Sequence, residues 1–216
     1  MATKVERPMT VAEEIAHSLT HGFGFLLGLA GLVMLLGVAS SEGTTEHVLS
    51  AVMYGSTIVV LYASSTLFHA LPRGRAKRIA QSMDHAAIFL LIAGTYTPIT
   101  LLTLDGPLGY GLFGLEWTLA ALGIVHEVTR GNGGRKVQLA LYLVMGWAVL
   151  FALRPLGKAM PSEGIALLIA GGVAYSVGVV FYLREKHRWN HTIWHLFVLA
   201  GSICHFLAIY WYVMPV

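Results

Sequence analysis

Seven runs of predominantly apolar residues follow one another with gaps of about five to ten residues. Each run is long enough to cross a hydrocarbon core of roughly 30 Å as a helix. In lipid no water is available for the backbone N–H and C=O groups, so a single-segment span must satisfy them internally as a helix. The expectation is an all-α polytopic membrane protein, a seven-transmembrane helix bundle forming a single domain over residues 1–216. The gaps leave no room for a soluble domain. Composition agrees: 56% of residues are hydrophobic and only 12% charged, about half the charge of a soluble domain.

Residues 1–16 read as a short cytoplasmic N-terminal segment of mixed charge, with Lys4 and Arg7 against Glu6, Glu13 and Glu14. A compact basic stretch followed by a short apolar run and a cleavage site is not found there, so a removable signal peptide is not expected. The spans are placed at His17 or Leu19 to Val38, Val48–Ala70, Ser82–Leu104, Gly109–Val128, Val137–Leu153, Glu163–Leu183 and His191–Val213. Pro98 is expected to kink the third, and Asp105-Gly106-Pro107 to turn the chain after it. Arg154-Pro155-Leu156-Gly157-Lys158 reads as a loop.

Loop charge orients the bundle. The N-terminal segment and the loops after spans two, four and six hold twelve of the fourteen Lys and Arg residues; the other loops hold Arg154 and Lys158. By the positive-inside rule the N-terminus is cytoplasmic and, with seven spans, the C-terminus lies outside. The same distribution removes nucleic acid as a partner despite the net charge of +3, because the cations sit in short loops as topology signals. Cys204 is the one cysteine, so neither an intramolecular disulfide nor a C-x-x-C site is available.

This topology gathers scattered polar residues. His191 and His195 are four apart and share a helix face, the spacing at which two imidazoles can ligate one metal. They open span seven from the cytoplasmic side, where His69 closes span two and Asp84 begins span three. Ser65 precedes His69 by one turn on the same face, about 6 Å deeper at 1.5 Å per residue. His17 and His21 form a second i, i+4 pair and so compete for the site; against them stand the place of His17 in the polar flank and the lack of a matching carboxylate segment. His85, His126 and His205 read as helix-to-helix hydrogen-bonders, His205 as a cavity-lining residue. Glu127 is expected to reach the surface near Arg130, while Glu116 lies deeper. Trp189, Tyr210, Trp211 and Tyr212 read as interfacial anchors.

Ser65-Thr66-Leu67-Phe68-His69, the run from Met83-Asp84-His85 to Thr97-Pro98, and His191-Thr192-Ile193-Trp194-His195 resemble the three signature segments of the haemolysin III proteins. Those belong with the progestin and adiponectin receptor family and, more distantly, the alkaline ceramidases. The resemblance covers nearly the whole chain. It implies a Zn2+ ion held by His69, His191 and His195, with Asp84 hydrogen-bonding water on the ion and Ser65 nearby. Three histidines leave a fourth position for water, as in catalytic zinc sites. At headgroup depth such a site meets the amide or ester joining an acyl chain to a polar head. The leading expectation is therefore a zinc-dependent membrane-lipid hydrolase, with Asp84 and Ser65 catalytic, membrane lipids as partners, and a role in membrane homeostasis at the plasma or inner membrane. A non-enzymatic, zinc-stabilised receptor-like or membrane-sensing protein and a membrane-lytic, haemolysin-like activity are the alternatives. Orientation is tested first: a reporter fused after Val216 should be active only if it functions outside the cytoplasm. Activity of a cytoplasm-only reporter at that end would remove one span or invert the topology.

Overall fold

A computed structural model describes residues 9–130, 134–184 and 186–215, so the first half of the mixed-charge N-terminal segment and the middle of the Gly-rich basic loop lie outside the described residues. Among the described residues there are eight α-helices: α1 (Val11–Glu42), α2 (Thr45–Ala70), α3 (Arg75–Pro98), α4 (Gly106–Arg130), α5 (Arg135–Gly146), α6 (Leu153–Ala159), α7 (Ser162–Leu183) and α8 (Asn190–Tyr212). Seven helical segments are long and apolar enough to cross a membrane, with α5 and α6 together forming the fifth. Large apolar side chains remain on the outside, Val11 at 76% and Phe151 at 86% exposure, as expected where the surroundings are acyl chains.

The first and fifth spans differ from expectation and the third is interrupted at Pro98 as expected, each for a local reason. Helix α1 starts at Val11 rather than His17 or Leu19, because Thr10 and Glu13 form a capping box: Thr10 Oγ1 accepts from Glu13 N–H at 3.3 Å and Glu13 Oε2 accepts from Thr10 N–H at 3.0 Å. The third span changes helix type after Pro98, continuing as a π-helical turn over Ile99–Leu104. A proline cannot donate to the ladder, so pitch adjusts around it. The turn that follows holds Asp105 at φ 40° and Gly106 at φ 64°, with Asp105 Oδ1 accepting from Gly106 N–H and the Tyr110 hydroxyl. The fifth span is broken by a 3-10 segment over Ala148–Ala152, and Arg154-Pro155-Leu156-Gly157-Lys158 belongs to α6 instead of a loop. Pro155 is tolerated there because the first turn of a helix needs no N–H from it. Tyr96 bridges the break, its hydroxyl donating to Gly146 O and accepting from Val149 N–H.

Helix α1 packs against both α2 and α8, α2 against α3, and α7 against α8, so the first and last spans are neighbours. Lipid is as apolar as leucine, hence helix association rests on close packing and polar contacts rather than on the hydrophobic effect. Both are present at this interface. A Cβ at Gly24 would stand 2.6 Å from the Tyr62 ring, and that ring is held in place because its hydroxyl donates to Ser202 Oγ at 2.8 Å, where Tyr175 also bonds. Glu127, expected at the surface, is buried and bonded by Ser82 and Gln138, with His85 Nδ1 at 3.4 Å. The end of α4 packs on α3 and α5, whose side chains replace water around the carboxylate. His205 bonds the Leu168 carbonyl across the α7–α8 contact at 3.0 Å. Gly24→Val should destabilise the protein by about 1–3 kcal/mol through overpacking, whereas Gly37→Ala, where a Cβ meets nothing within 4 Å, should be neutral or stabilising by up to about 1 kcal/mol. Thermal unfolding in detergent compares the two; equal melting temperatures would remove the tight α1–α2 contact.

Candidate metal centre

Five histidines converge where α1, α2 and α8 meet. His17 and His21 descend from α1 one turn apart, His69 closes α2, and His191 and His195 open α8 one turn apart. A donor nitrogen from each of His17, His69 and His191 lies within 4.8 Å of the others, which is close enough to hold a metal ion. The His195 ring centroid is 4.8 Å from that of His191, 5.0 Å from His69 and 5.2 Å from His17. His21 stacks on His195 at 3.5 Å. Four of the five are almost sealed, with His17 and His195 at 1% exposure and His21 and His69 at 3%.

The hydrogen-bond inventory points the same way. Buried polar atoms are nearly always partnered, yet both nitrogens of His17, Nε2 of His21, Nε2 of His69 and Nδ1 of His195 are buried without a hydrogen-bond partner. For His69 the reason is visible: Nδ1 donates to Glu14 Oε2 at 2.8 Å, which leaves Nε2 as a lone pair facing the other rings. Glu14 in turn pairs with Lys77 Nζ at 2.9 Å, and Lys77 also donates to the carbonyls of Phe68 and Leu71 at the end of α2. A carboxylate behind a histidine is the usual support of a metal ligand, since it sets the tautomer and raises ligand basicity. Imidazole nitrogens about 2.0–2.1 Å from one zinc-sized ion stand about 3.3 Å apart, a contraction that small side-chain rotations supply. The residues present fit a divalent ion that favours nitrogen ligands.

The two non-histidine residues singled out from sequence lie beside the cluster. Ser65 is buried, and its Oγ is 2.7 Å from His21 Nδ1; the Asp84 carboxylate lies close enough to interact with Ser65, His69 and His191. Glu13, next to Glu14, reaches the other end of the site, its Oε1 accepting from Trp189 N–H at 3.4 Å. Trp189 has a left-handed backbone, φ 67°, and immediately precedes α8. That conformation costs of order 1 kcal/mol or more in a non-glycine residue and is held where the chain turns into the helix bearing His191.

The sequence places His69, Asp84, His191 and His195 at one depth with Ser65 a turn deeper, and in the structure these residues stand around the cluster. From sequence His17 and His21 are a rival pair; the structure puts them in the same cluster, because α1 begins early enough to bury both. Glu14 and Lys77 were missed. The signal available for α1 was Thr10-x-x-Glu13 ahead of an apolar run, a helix-start signature that moves residues 11–16 from tail to helix. Replacing Glu14 with Gln should keep the fold and lower metal affinity by about 10- to 100-fold, as loss of such support typically does. Competition with a chromophoric chelator measures it, and unchanged affinity would deny Glu14 this role.

Comparison with known proteins extends the match across the chain. The sequence profile described as haemolysin-III related matches residues 9–206. The chain is 43% identical to Hemolysin-3 of Bacillus cereus over 205 residues, covering 95% of this chain and 94% of that one. It is 41% identical to the Hemolysin-3 homolog of Bacillus subtilis (strain 168) over 207 residues, covering 96% and 97%. Similarity reaches the human monocyte to macrophage differentiation factor, 28% identical over 209 residues, covering 94% and 85%.

Proposed function

The chain belongs to the haemolysin III family, and on that premise we propose that it is a zinc-dependent hydrolase of membrane-lipid amide or ester bonds. The site lies at the cytoplasmic face of the plasma or inner membrane, and the activity serves membrane homeostasis. The observation that carries the reading is the convergence of buried, unpartnered imidazole nitrogens next to a serine and a carboxylate at the helix ends. A lipid presents its acyl linkage at that level. His69, His191 and His195 hold the ion in this reading, and neutral imidazole is a ligand type that suits zinc.

Bound zinc would polarise the acyl carbonyl and make water nucleophilic near neutral pH. The protein's own groups do the rest. Asp84 takes the proton of the attacking water and returns it to the leaving amine or alkoxide as the acyl bond breaks. Ser65, bonded to His21 and beside Asp84, keeps the carboxylate aimed. Glu14 and Lys77 fix the His69 ring, and Glu13 fixes the start of α8.

Asp84→Asn should retain zinc and fold but lower turnover by roughly 100-fold or more, the usual scale for loss of a general base; Ser65→Ala should do the same more mildly. Zinc content, melting temperature and hydrolysis of fluorescent N-acyl and ester lipids are measured on the same preparations. A stable, zinc-loaded Asp84→Asn protein with unaltered turnover would overturn the catalytic reading. A loss of stability alone would favour the non-enzymatic one, in which the ion only ties α1, α2 and α8 together.

A further inference from the structure

A catalytic ion needs a ligand position that the protein leaves open, but two imidazoles converge here beyond the three named above. His21 is bonded to Ser65 and stacked on His195, which leaves His17 as the surplus ring. Its centroid is 4.7 Å from those of both His69 and His191 and 5.2 Å from that of His195. It is 1% exposed, and neither of its nitrogens has a hydrogen-bond partner. A buried imidazole with both nitrogens unsatisfied is costly. It shares with His69 and His191 the set of donor atoms within 4.8 Å.

We propose that His17 is a fourth, displaceable ligand of the ion, so that α1 closes the site at rest and exposes the position needed for hydrolysis only when its first turns move away. Four protein ligands make a closed zinc site and three an open one. The proposal rests on the zinc reading above and assigns α1 the control of it. The helix is built for such a motion. Beyond His21, α1 is pressed against α2 at Gly24 and Gly28, where an added Cβ would meet Tyr62 at 2.6 Å and Ile58 at 2.9 Å. Before His21 a cleft of about 510 Å³ runs between α1 and the end of α2, bounded by Val11, Ile15 and Leu19 on one side and Leu71 and Arg73 on the other. Across that cleft α1 is tethered by polar bonds: Glu14 to His69 and Lys77, and Ser18 Oγ to the Thr66 carbonyl at 3.3 Å. Beyond His21, α1 is therefore fixed by close packing; before it, polar bonds to α2 and the Glu13 contact with Trp189 N–H hold it.

Zinc-edge X-ray absorption on the purified full-length protein in lipid nanodiscs counts the imidazoles directly. Four in the parent protein, falling to three plus an oxygen ligand in His17→Ala with zinc retained, is the expected result. In cobalt-substituted protein, azide should alter the visible spectrum of His17→Ala at concentrations at least about tenfold lower than the parent requires, because a site open only a tenth of the time or less weakens apparent affinity by that fraction. Three imidazoles plus oxygen in the parent, with azide affinity unaffected by the substitution, would overturn the proposal and leave the zinc reading standing. A parent protein that binds no zinc would instead sink the reading on which it rests. The parent's ligand count decides the matter even if His17→Ala does not fold, and His17→Gln provides a second variant close to histidine in size.

Discussion

Imidazole nitrogens buried inside a helix bundle must be given a proton donor, an acceptor or a metal, and this requirement organises one end of the molecule. Four histidines almost without exposure face one another there, too close to be separately hydrated. Everything around them arranges which nitrogen points where. Glu14 occupies Nδ1 of His69, Ser65 occupies Nδ1 of His21, and Glu13 holds the backbone that leads to His191. Because α1, α2 and α8 each contribute, the cluster also dictates that the first and last spans be neighbours, as the Gly24–Tyr62–Ser202 contact further along the helices independently requires.

The span count was legible because hydropathy over about 20 residues is a direct reading of the bilayer's thickness. The ends of the spans were less so. Hydropathy scores an inward-facing polar residue as though it faced water, so Glu13, Glu14, His17 and Ser18 moved the apparent start of α1 past the residues that complete the site. The same error sent Glu127 to the surface, although it is enclosed by Ser82, His85 and Gln138. Interruptions inside apolar runs were legible only at prolines: Pro98 marked a change of helix type, whereas the 3-10 segment over Ala148–Ala152 has no sequence breaker in it.

For the site, the i, i+4 pair His191/His195 and the Ser65/His69 pair could be placed on helix faces, and their common depth followed from counting spans. What could not be read was which rings meet. That depends on the angle at which α1 crosses α2, set by Tyr62 and the glycines of α1, and on carboxylates that reach across helices, such as Glu14 to His69. Tertiary distances of this kind leave no periodic trace in a single sequence, although the capping box at Thr10 offered a way to find where α1 begins.

The reading of the histidine cluster as a metal centre requires the ion itself. Metal analysis by mass spectrometry on protein purified without added metal should find about one zinc per chain, with removal by a chelator lowering the melting temperature, since an ion that binds only the folded state stabilises it by mass action. A pure, folded protein that contains no bound metal, takes up none when zinc is offered, and melts identically with and without chelator would contradict it.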